Sequence, residues 1–531
     1  MSHYDVIVVG AGAAGASLAA RLSEDTDRSV LLLEAGPLPR TLSGFPAELL
    51  DARLVPGART DHGAVRPYET RLTPRHPYRV SRGRYLGGST TVNGGYFIRA
   101  RREDFDRWAV GNPAWAFERV LPFLRGLETD LDYGADRIHG GSGPVRVRRG
   151  ALGHPAFTAF RAAAREMGFP DEPDKNDQGR GGFGPVPSNS VDGMRVNTGI
   201  SYLLPALARP NLSAVGDCRV LRVVVSRGRA TGVEVEHEGH GRVLECGEVV
   251  LCAGSFASPQ LLLLSGIGDR GQLERLGVPV VADLPAVGAG FGDHPQVVLE
   301  WSPRQEFNAP ADSWLGGCLH LPSSGPASPP AGDLEILQSL SPLPALAGVR
   351  PSAPRPPLAF LVSDLAPRST GTLRLPTADP ATDPCIDYHY LRTADDRRRL
   401  REAVRTTVEL VNTRAFRQVA RSPLGPSAKV AADDGALDDW IERRLGTAHH
   451  ACGSVPMGPT GSRQAAVDQY GRVHGVAGLR VADASVLPTA PLRGPAATAV
   501  LVAEVISDEM RRSRTSGVRD VNEGVPGGAP H

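Results

Sequence analysis

The first residues with recognisable chemistry are three glycines and a carboxylate near the N-terminus. Gly10, Gly12 and Gly15 form a G-x-G-x-x-G pattern, and Glu34 lies 19 residues beyond the third glycine. In this pattern the glycines make a tight turn, admit a pyrophosphate to the backbone and let a helix pack on a strand. The glutamate can accept hydrogen bonds from a ribose diol and would repel a 2′-phosphate. The residues predict a dinucleotide site without distinguishing FAD from NAD.

These glycines must be positioned by a strand before them and a helix after them. Residues 6–9 form an apolar run typical of a buried parallel strand, and a helical pattern begins at Ala16. A second strand over residues 29–33 ends at Glu34. The segment is therefore predicted to be a βαβ unit, whose helix N-terminus offers N–H groups to the phosphates.

Residue usage argues against several other chemistries. Lys175 and Lys429 are the only lysines in the sequence, so few candidates exist for a lysine nucleophile. The six cysteines include no C-x-x-C pair and no histidine spacing of a zinc site, so a reduced interior without a metal is expected. They are Cys218, Cys246, Cys252, Cys318, Cys385 and Cys452.

The composition indicates a globular protein rich in turns. Gly and Pro number 61 and 46 among 531 residues. Gly does not recur at every third position, which excludes collagen, and 41% hydrophobic residues exclude wholesale disorder. The 59 basic and 58 acidic residues nearly cancel, so nucleic acid is not an expected partner. No signal peptide or long apolar run is present, which predicts a soluble, cytoplasmic protein.

Further along the chain, the pattern predicts alternating loops, strands and helices. Residues 79–102 are expected to form an extended loop against a ligand, and residues 212–237 a β-meander. Residues 303–367 hold 13 prolines, which favours edge strands and ordered loops over sheet centre. Helices are predicted over residues 394–411 and 496–510, followed by a disordered tail over 512–531.

Four segments, in this order along the chain, resemble signatures of the glucose-methanol-choline (GMC) flavoprotein oxidoreductases. They are Gly83 to Asn93 (GRYLGGSTTVN), continuing to Ala100 and Asp106; Gly254 to Pro259 (GSFASP), continuing to Gly268; His450 to Gly458 (HACGSVPMG); and Leu479 to Pro488 (LRVADASVLP).

The resemblance implies an α/β fold in which a Rossmann-like FAD-binding domain is assembled from discontinuous segments beside an α+β substrate domain with an antiparallel sheet. The FAD-binding domain is predicted to comprise residues 1–150, 205–302 and 445–511, and the substrate domain residues 151–204 and 303–444. The residues implied to contact FAD are Gly10, Gly12, Ala13, Gly15, Glu34, Gly87, Gly88, Ser89, Asn93, Val220 (through its backbone) and Asp483. Some family members attach the flavin through a histidine just before the asparagine. That position is Val92 here, so noncovalent FAD is expected.

By the same resemblance, His450 is the expected catalytic base, which takes the proton of a substrate hydroxyl, and His449 a supporting pocket wall. Family members usually add a second His or Asn, at a position that falls on Gly494 or Pro495 here. Neither side chain can form a hydrogen bond. Three explanations stay open: His450 works alone, another group such as Arg493 replaces the missing partner, or FAD is retained without ordinary alcohol oxidation.

The segments around His450 and Gly494 look most like the branch associated with mycofactocin, a peptide-derived redox cofactor. This branch implies a dehydrogenase that oxidises the reduced cofactor and passes electrons to a respiratory acceptor, with peripheral membrane contact at most. The alternatives are a GMC oxidase or dehydrogenase of small alcohols or sugars, a non-redox lyase that retains FAD, and a carrier without catalysis.

Overall fold

The computed structural model describes residues 3–150, 152–325 and 328–522. The helices are α1 (Ala13–Leu22), α2 (Ala47–Leu50), α3 (Ser89–Val92), α4 (Arg102–Ala109), α5 (Phe117–Gly126), α6 (Pro155–Glu166), α7 (Leu204–Ala206), α8 (Gly254–Leu264), α9 (Arg270–Arg275), α10 (Leu343–Leu346), α11 (Ala394–Asn412), α12 (Ala428–Ala432), α13 (Asp434–Glu442) and α14 (Ala496–Asn522).

The strands are β1 (Tyr4–Val9), β2 (Val30–Leu33), β3 (Val65–Thr73), β4 (His76–Gly83), β5 (Glu128–Asp130), β6 (Val145–Arg149), β7 (Phe183–Pro185), β8 (Pro187–Ser188), β9 (Ser190–Val191), β10 (Met194–Arg195), β11 (Leu212–Val215), β12 (Cys218–Ser226), β13 (Arg229–His237), β14 (His240–Leu251), β15 (Ile267–Gly268), β16 (Ala282–Asp283), β17 (Pro295–Pro303), β18 (Leu315–Leu321), β19 (Leu334–Ser339), β20 (Leu358–Asp364), β21 (Thr372–Arg374), β22 (Cys385–Asp387), β23 (Ala420–Pro423), β24 (Gly446–Thr447) and β25 (Leu479–Val481).

The first large sheet is the Rossmann-like one predicted from the N-terminal pattern. Its order is β11-β2-β1-β14-β13-β12, with β25 paired to β14. The strands β11, β2, β1, β14 and β25 run parallel, and the apolar residues of β1 and β2 are buried because helices cover this part of the sheet. The predicted βαβ unit is confirmed.

The predicted meander over residues 212–237 is partly wrong. The strands β12, β13 and β14 form an antiparallel meander, whereas β11 pairs in parallel with β2. The turn at residues 216–217 separates the two, and Asp217 adopts a left-handed φ of 49° there. The expected extended loop over residues 79–102 is also broken, since β4 ends at Gly83 and α3 spans Ser89–Val92.

The second large sheet is antiparallel, in the order β23-β17-β20-β19-β18-β7, with β24 paired to β17. The expectation that residues 303–367 supply only edge strands and loops is wrong, because β19 and β20 lie inside this sheet. Pro303 and Pro322 stand at or just past strand ends, so the prolines are compatible with central strands between them.

Two strands from segments predicted to bind FAD belong to the second large sheet. The strand β17 begins at Pro295, inside the segment assigned to FAD binding, but it pairs within the second sheet. The same holds for β24. A smaller four-stranded sheet, β21-β22-β3-β4, combines strands from residues 65–83 with strands from residues 372–387.

The helix α14 packs against α1 and connects the C-terminal segment to the first sheet. Nε of Arg21 lies 2.9 Å from the Glu504 carboxylate, which also accepts a 2.7 Å hydrogen bond from the hydroxyl of Tyr202. The helix was predicted to end near Met510 and instead continues to Asn522, into the predicted disordered tail. The rest of that tail, residues 523–531, lies outside the described residues. Within the described ranges, no helix is long and apolar enough to cross a membrane.

Candidate active site

The glycine pattern forms a tight turn between β1 and α1. Gly10 has a φ of 99°, and its N–H donates to the carbonyl of Leu33 at 2.7 Å. A Cβ on Gly15 would lie 1.8 Å from the Gly10 carbonyl oxygen, so only glycine allows this approach. The helix starts at Ala13, and its N-cap, Gly12, has no side chain to cap the first N–H groups. This end of α1 can therefore accept a phosphate.

A second glycine loop lies directly on this turn. The N–H of Gly87 donates to the carbonyl of Ala11 at 2.8 Å, and a Cβ on Gly88 would be 2.7 Å from the Cα of Gly12. This contact brings the turn at Gly10–Gly15 and the loop at Gly87–Gly88 together, as expected if both bind FAD.

The residues after Gly88 start a short helix beside the same turn. Ser89 is exposed at the N-terminus of α3, and Asn93 follows the helix with its Oδ1 bound to the N–H of Gly95 at 3.0 Å. Val92 is 3% exposed and packs near Gly57. Its apolar side chain supports the expectation that the flavin is not attached at this position.

Glu34 is buried behind the glycine turn. Its two carboxylate oxygens accept hydrogen bonds from the N–H groups of Ala11 at 2.8 Å and Gly36 at 2.9 Å. Burial raises the pKa of this carboxyl to about 7, against the opposing effect of these hydrogen bonds. Glu34 therefore fixes the turn in addition to the predicted contact with a ribose diol.

A cavity of about 410 Å³ opens beside the residue that follows Glu34. It is bordered by Ala35, Arg84, Asp217 and Arg219. Val220, the predicted backbone contact to adenine, is the next residue in β12, where a bulge interrupts the pairing with β13. The location is consistent with the predicted adenosine end of the cofactor site.

Asp483 connects the closing segment to the N-terminus of α8. Its Oδ2 accepts hydrogen bonds from the N–H of Gly254 at 2.8 Å and the hydroxyl of Ser258 at 2.6 Å, and its Oδ1 accepts one from the N–H of Ser485 at 2.8 Å. All three are intramolecular contacts. The expected contact of Asp483 with FAD stays a prediction. In the structure, its side chain joins the segment 479–488 to the segment 254–259.

His450 is placed by backbone pairing between two distant segments. Gly292 and Cys452 exchange two backbone hydrogen bonds of 2.9 Å, which sets the residues 292–294 antiparallel to 450–452. The N–H of His450 donates to Oδ1 of Asp293 at 2.7 Å. Nδ1 of His450 then lies 2.9 Å from Nδ1 of His294, so the two imidazoles share one hydrogen.

The other ring nitrogen of His450 faces the position where a second polar residue was expected. A Cβ on Gly494 would be 3.3 Å from Nε2 of His450 and 3.8 Å from Cδ1 of Tyr96. A side chain at this position would therefore crowd the imidazole, and glycine avoids that contact. Burial, reinforced by the neighbouring His294, holds the pKa of His450 well below its usual value, so the ring is neutral at neutral pH and can accept a proton.

The structure places the other predicted pocket residues around this point. His449 has a left-handed φ of 63°, and its carbonyl accepts a hydrogen bond from Arg82 at 2.7 Å. Burial lowers the pKa of His449 to about 3. Pro495 lies just before α14, and its carbonyl accepts the N–H of Ala499 at 2.8 Å.

Arg493 does not replace the missing hydroxyl partner in this arrangement. Its guanidinium is fully buried and donates to the carbonyl oxygens of Ala331 at 2.6 Å, Gly332 at 3.1 Å and Leu492 at 2.5 Å. These contacts direct its NH1 and NH2 groups toward backbone carbonyl oxygens.

The sequence patterns do not identify several residues of the site. His294, Tyr96, His320 and Glu335 come from separate segments, and only Tyr96 lies close to a motif, three residues after Asn93. The ligand atoms of Cys318, His320 and Glu335 lie within 4.8 Å of one another, a grouping that was not expected. The ammonium group of Lys175, 3.1 Å from Nδ1 of His320, disfavours a metal cation there by its own charge.

The residues present fit FAD. The uncapped start of α1 can bind the pyrophosphate. The glycines at 12 and 88 leave the backbone there accessible to it. His450 belongs to a later motif of the same family resemblance. The contacts at this turn bring together Gly10, Gly12, Gly15, Glu34, Gly87 and Gly88, and the contact of each predicted residue with FAD stays a prediction.

Comparisons with known proteins agree with this arrangement. Two family models, both described as GMC oxidoreductase, match residues 4–296 and 367–503. A protein of Rhodococcus erythropolis, described as an uncharacterised GMC-type oxidoreductase, is 39% identical over 94% of this chain and 97% of its own length. An oxygen-dependent choline dehydrogenase of Sinorhizobium fredii is 33% identical over 95% of both chains.

Solved structures share the whole architecture. Pyridoxine 4-oxidase from Mesorbium loti matches with a TM-score of 0.87 and 26% identity, over 96% of this chain and 99% of that one. A formate oxidase from Aspergillus oryzae has a TM-score of 0.87 at 23% identity, over 97% and 99% of the two chains, and so supports the fold alone.

Proposed function

Because the chain belongs to the GMC oxidoreductase family and is an FAD-dependent oxidoreductase acting on CH–OH groups, we propose that His450 is the base that accepts the hydroxyl proton of its substrate. The observation that carries this proposal is that Nδ1 of His450 is held by His294, while Nε2, at the edge that faces Gly494, has no hydrogen-bond partner among the described residues.

His294 positions the base in this proposal. If Nδ1 of His450 donates its hydrogen to Nδ1 of His294, the lone pair of Nε2 points into the pocket and can accept a proton. FAD, when bound, accepts the hydride that leaves the carbinol carbon. Asp293 holds the backbone of both histidines, since its Oδ1 accepts the N–H groups of His294 and His450, each at 2.7 Å.

For the substrate itself, we propose reduced mycofactocin, with the electrons passed to a respiratory acceptor and any membrane contact peripheral. This finer proposal is supported by the segments His450–Gly458 and Gly494–Thr498, whose sequences resemble the mycofactocin-associated branch.

A second candidate is a small alcohol. It is favoured by the relative described as an oxygen-dependent choline dehydrogenase and by the structurally similar pyridoxine 4-oxidase.

The test is anaerobic mixing of the FAD-loaded protein with reduced mycofactocin and with a panel of small alcohols and sugars, followed by flavin absorbance. Bleaching by one class identifies the substrate class. If FAD is bound and neither class bleaches it, alcohol oxidation is contradicted. Mixing the reduced protein with oxygen or with a quinone then identifies the acceptor, and reoxidation by oxygen alone would contradict the respiratory proposal.

A further inference from the structure

A chain of buried polar side chains lies beside the pocket and takes no part in the proton transfer to His450. It runs from Tyr96 through Glu335 and His320 to Lys175. Glu335 and His320 are direct cross-strand partners on β19 and β18, in the middle of the second sheet. Lys175 is one of only two lysines in the sequence, and it is fully buried.

The positions of the hydrogens in this chain follow from Lys175. An ammonium group can only donate, and that of Lys175 contacts Oε2 of Glu172 at 2.6 Å and Nδ1 of His320 at 3.1 Å. Nδ1 of His320 is therefore the acceptor, and the hydrogen of the neutral ring is on Nε2. That nitrogen donates to Oε2 of Glu335 at 3.0 Å.

Glu335 is consequently an ionised carboxylate with one occupied oxygen. Burial alone would raise its pKa, but the hydrogen bond from His320 and the charge of Arg493 lower it. The hydroxyl of Tyr96 also donates to Oε2, at 3.0 Å. Oε1 accepts no hydrogen bond from the described residues, and it borders space that water can reach, unlike the sealed Oε1 of Glu172.

Tyr96 connects Glu335 to the site of proton transfer. One edge of its ring lies 3.8 Å from the Cβ position of Gly494, beside His450, and its hydroxyl at the other edge contacts Glu335. Tyr96 also packs against an apolar cluster that contains Trp314, Leu315 and Leu337. Tyr96 thus extends from the neighbourhood of His450 to Glu335, and an apolar cluster packs against its ring.

We propose that Glu335 is a substrate-binding residue whose Oε1 accepts a hydrogen bond from a second donor group, a hydroxyl or a protonated amine, on the alcohol that reacts at His450. The inference rests on the proposed function and adds the class of substrate, an alcohol with a second donor across a short apolar spacer. A buried carboxylate left unpaired is costly, so an alcohol without that donor binds more weakly.

The experiment uses the FAD-loaded protein and three alcohols of equal length: 1-butanol, 1,4-butanediol and 4-amino-1-butanol. The apparent Kd and the rate of flavin bleaching are measured for each under anaerobic conditions. We expect the wild type to prefer at least one donor-bearing alcohol over 1-butanol by about 10- to 100-fold in rate over Kd, as for a hydrogen bond to a charged group. The better of the two donor-bearing alcohols identifies the donor as hydroxyl or amine.

The variants Glu335→Gln and Glu335→Leu should reduce this preference to less than about threefold. In Glu335→Leu we expect a lower Kd for 1-butanol, because no carboxylate is left unpaired when this alcohol binds. Glu300→Gln, a half-buried carboxylate on β17 of the same sheet, is the matched control and should keep the wild-type preference. FAD content and the melting temperature show whether each variant is folded.

Equal rates for the three alcohols in the wild type, or a preference that survives in both Glu335 variants, would overturn the assignment of Glu335. Bound FAD that no alcohol bleaches, in the wild type or the variants, would instead contradict the proposed function.

Discussion

At the scale of single residues, the competence of His450 depends on which imidazole carries the shared hydrogen. The hydrogen between the two Nδ1 atoms, 2.9 Å apart, belongs to only one ring at a time. When it belongs to His450, Nε2 of His450 is a base. When it belongs to His294, Nε2 of a neutral His450 carries a hydrogen and cannot accept the substrate proton. A carboxylate partner would fix the tautomer by its charge, whereas a histidine partner leaves it to the surroundings.

Replacing His450 tests its role as the base. We expect His450→Ala to slow flavin bleaching by at least about 10²-fold, because the hydroxyl proton then has no positioned acceptor. FAD content should not change, since no predicted cofactor contact is lost. His240→Ala, at the exposed start of β14, is the matched control and should bleach at the wild-type rate. A loss of less than about tenfold would remove His450 from this role.

The pH dependence of the same reaction has a predictable sign. The basic form of an imidazole predominates above its pKa, and burial and His294 both hold the pKa of His450 well below the ordinary value. The bleaching rate at saturating substrate should therefore stay constant from about pH 9 down to about pH 6 and decline only at lower pH. Stopped-flow absorbance across this range is the measurement, and a midpoint at or above about 6.5 would contradict it.

The sequence alone could identify His450 and the glycines, because each lies in a local motif. It could not identify His294 or Glu335. His294 meets His450 across 156 positions, through backbone pairing of Gly292 with Cys452. Glu335 meets Tyr96 across 239 positions. No local spacing encodes such contacts, since they depend on how separate segments assemble.

At the scale of elements, the β1–turn–α1 unit has almost no tolerance for a side chain. We expect Gly15→Ala to lower FAD content and the melting temperature, because the new Cβ would lie 1.8 Å from the Gly10 carbonyl oxygen and α1 would have to shift. Such overpacking typically costs about 1–3 kcal/mol or more.

The matched control is Gly241→Ala, at a position in β14 where a Cβ meets nothing within 4 Å. The flavin-to-protein absorbance ratio and thermal unfolding measure both effects. Equal FAD content in the two variants would contradict the assignment of this turn to the cofactor.

The proline-rich region, residues 303–367, shows why the sequence patterns did not predict some strands. The strand β19 reads LEILQS, and all six residues are buried, including the polar Glu335, Gln338 and Ser339. A strand with buried polar residues on both faces resembles neither an alternating strand nor an apolar one. The burial is possible because partners such as Tyr96, His320 and the backbone of Ala156 satisfy these groups.

At the scale of the whole molecule, the first sheet takes strands from residues 4–33, 212–251 and 479–481. The cofactor site is complete only when both ends of the chain have assembled on one sheet. The family resemblance predicted a domain assembled from discontinuous segments, and the strands of this sheet come from three such segments. No motif indicated that β17, which begins at Pro295, pairs in the second sheet.

The stability of the whole molecule should depend on pH through one buried cluster outside the active site. His139 contacts the carboxylates of Glu128 at 3.0 Å, Asp130 at 3.1 Å and Asp174 at 2.7 Å, and Arg99 and Arg149 complete the charge balance. Burial would lower the pKa of His139, but the three carboxylates raise it to about 11. A folded-state pKa above the unfolded value means that protonation stabilises the fold.

This contribution should be complete below about pH 6.5, the unfolded-state pKa, and should decline as the pH rises toward 11. We therefore expect His139→Gln to melt at a lower temperature than the wild type at pH 7, since removing one member of a buried ionic cluster costs about 3–5 kcal/mol. The difference in melting temperature between the wild type and His139→Gln should narrow steadily between about pH 7 and pH 10, because the wild type loses this stabilisation and the variant does not. His240→Gln should show no gap at any pH. Thermal unfolding of the FAD-loaded proteins measures both, and a gap that stays constant or widens would mean that His139 is not held as a cation.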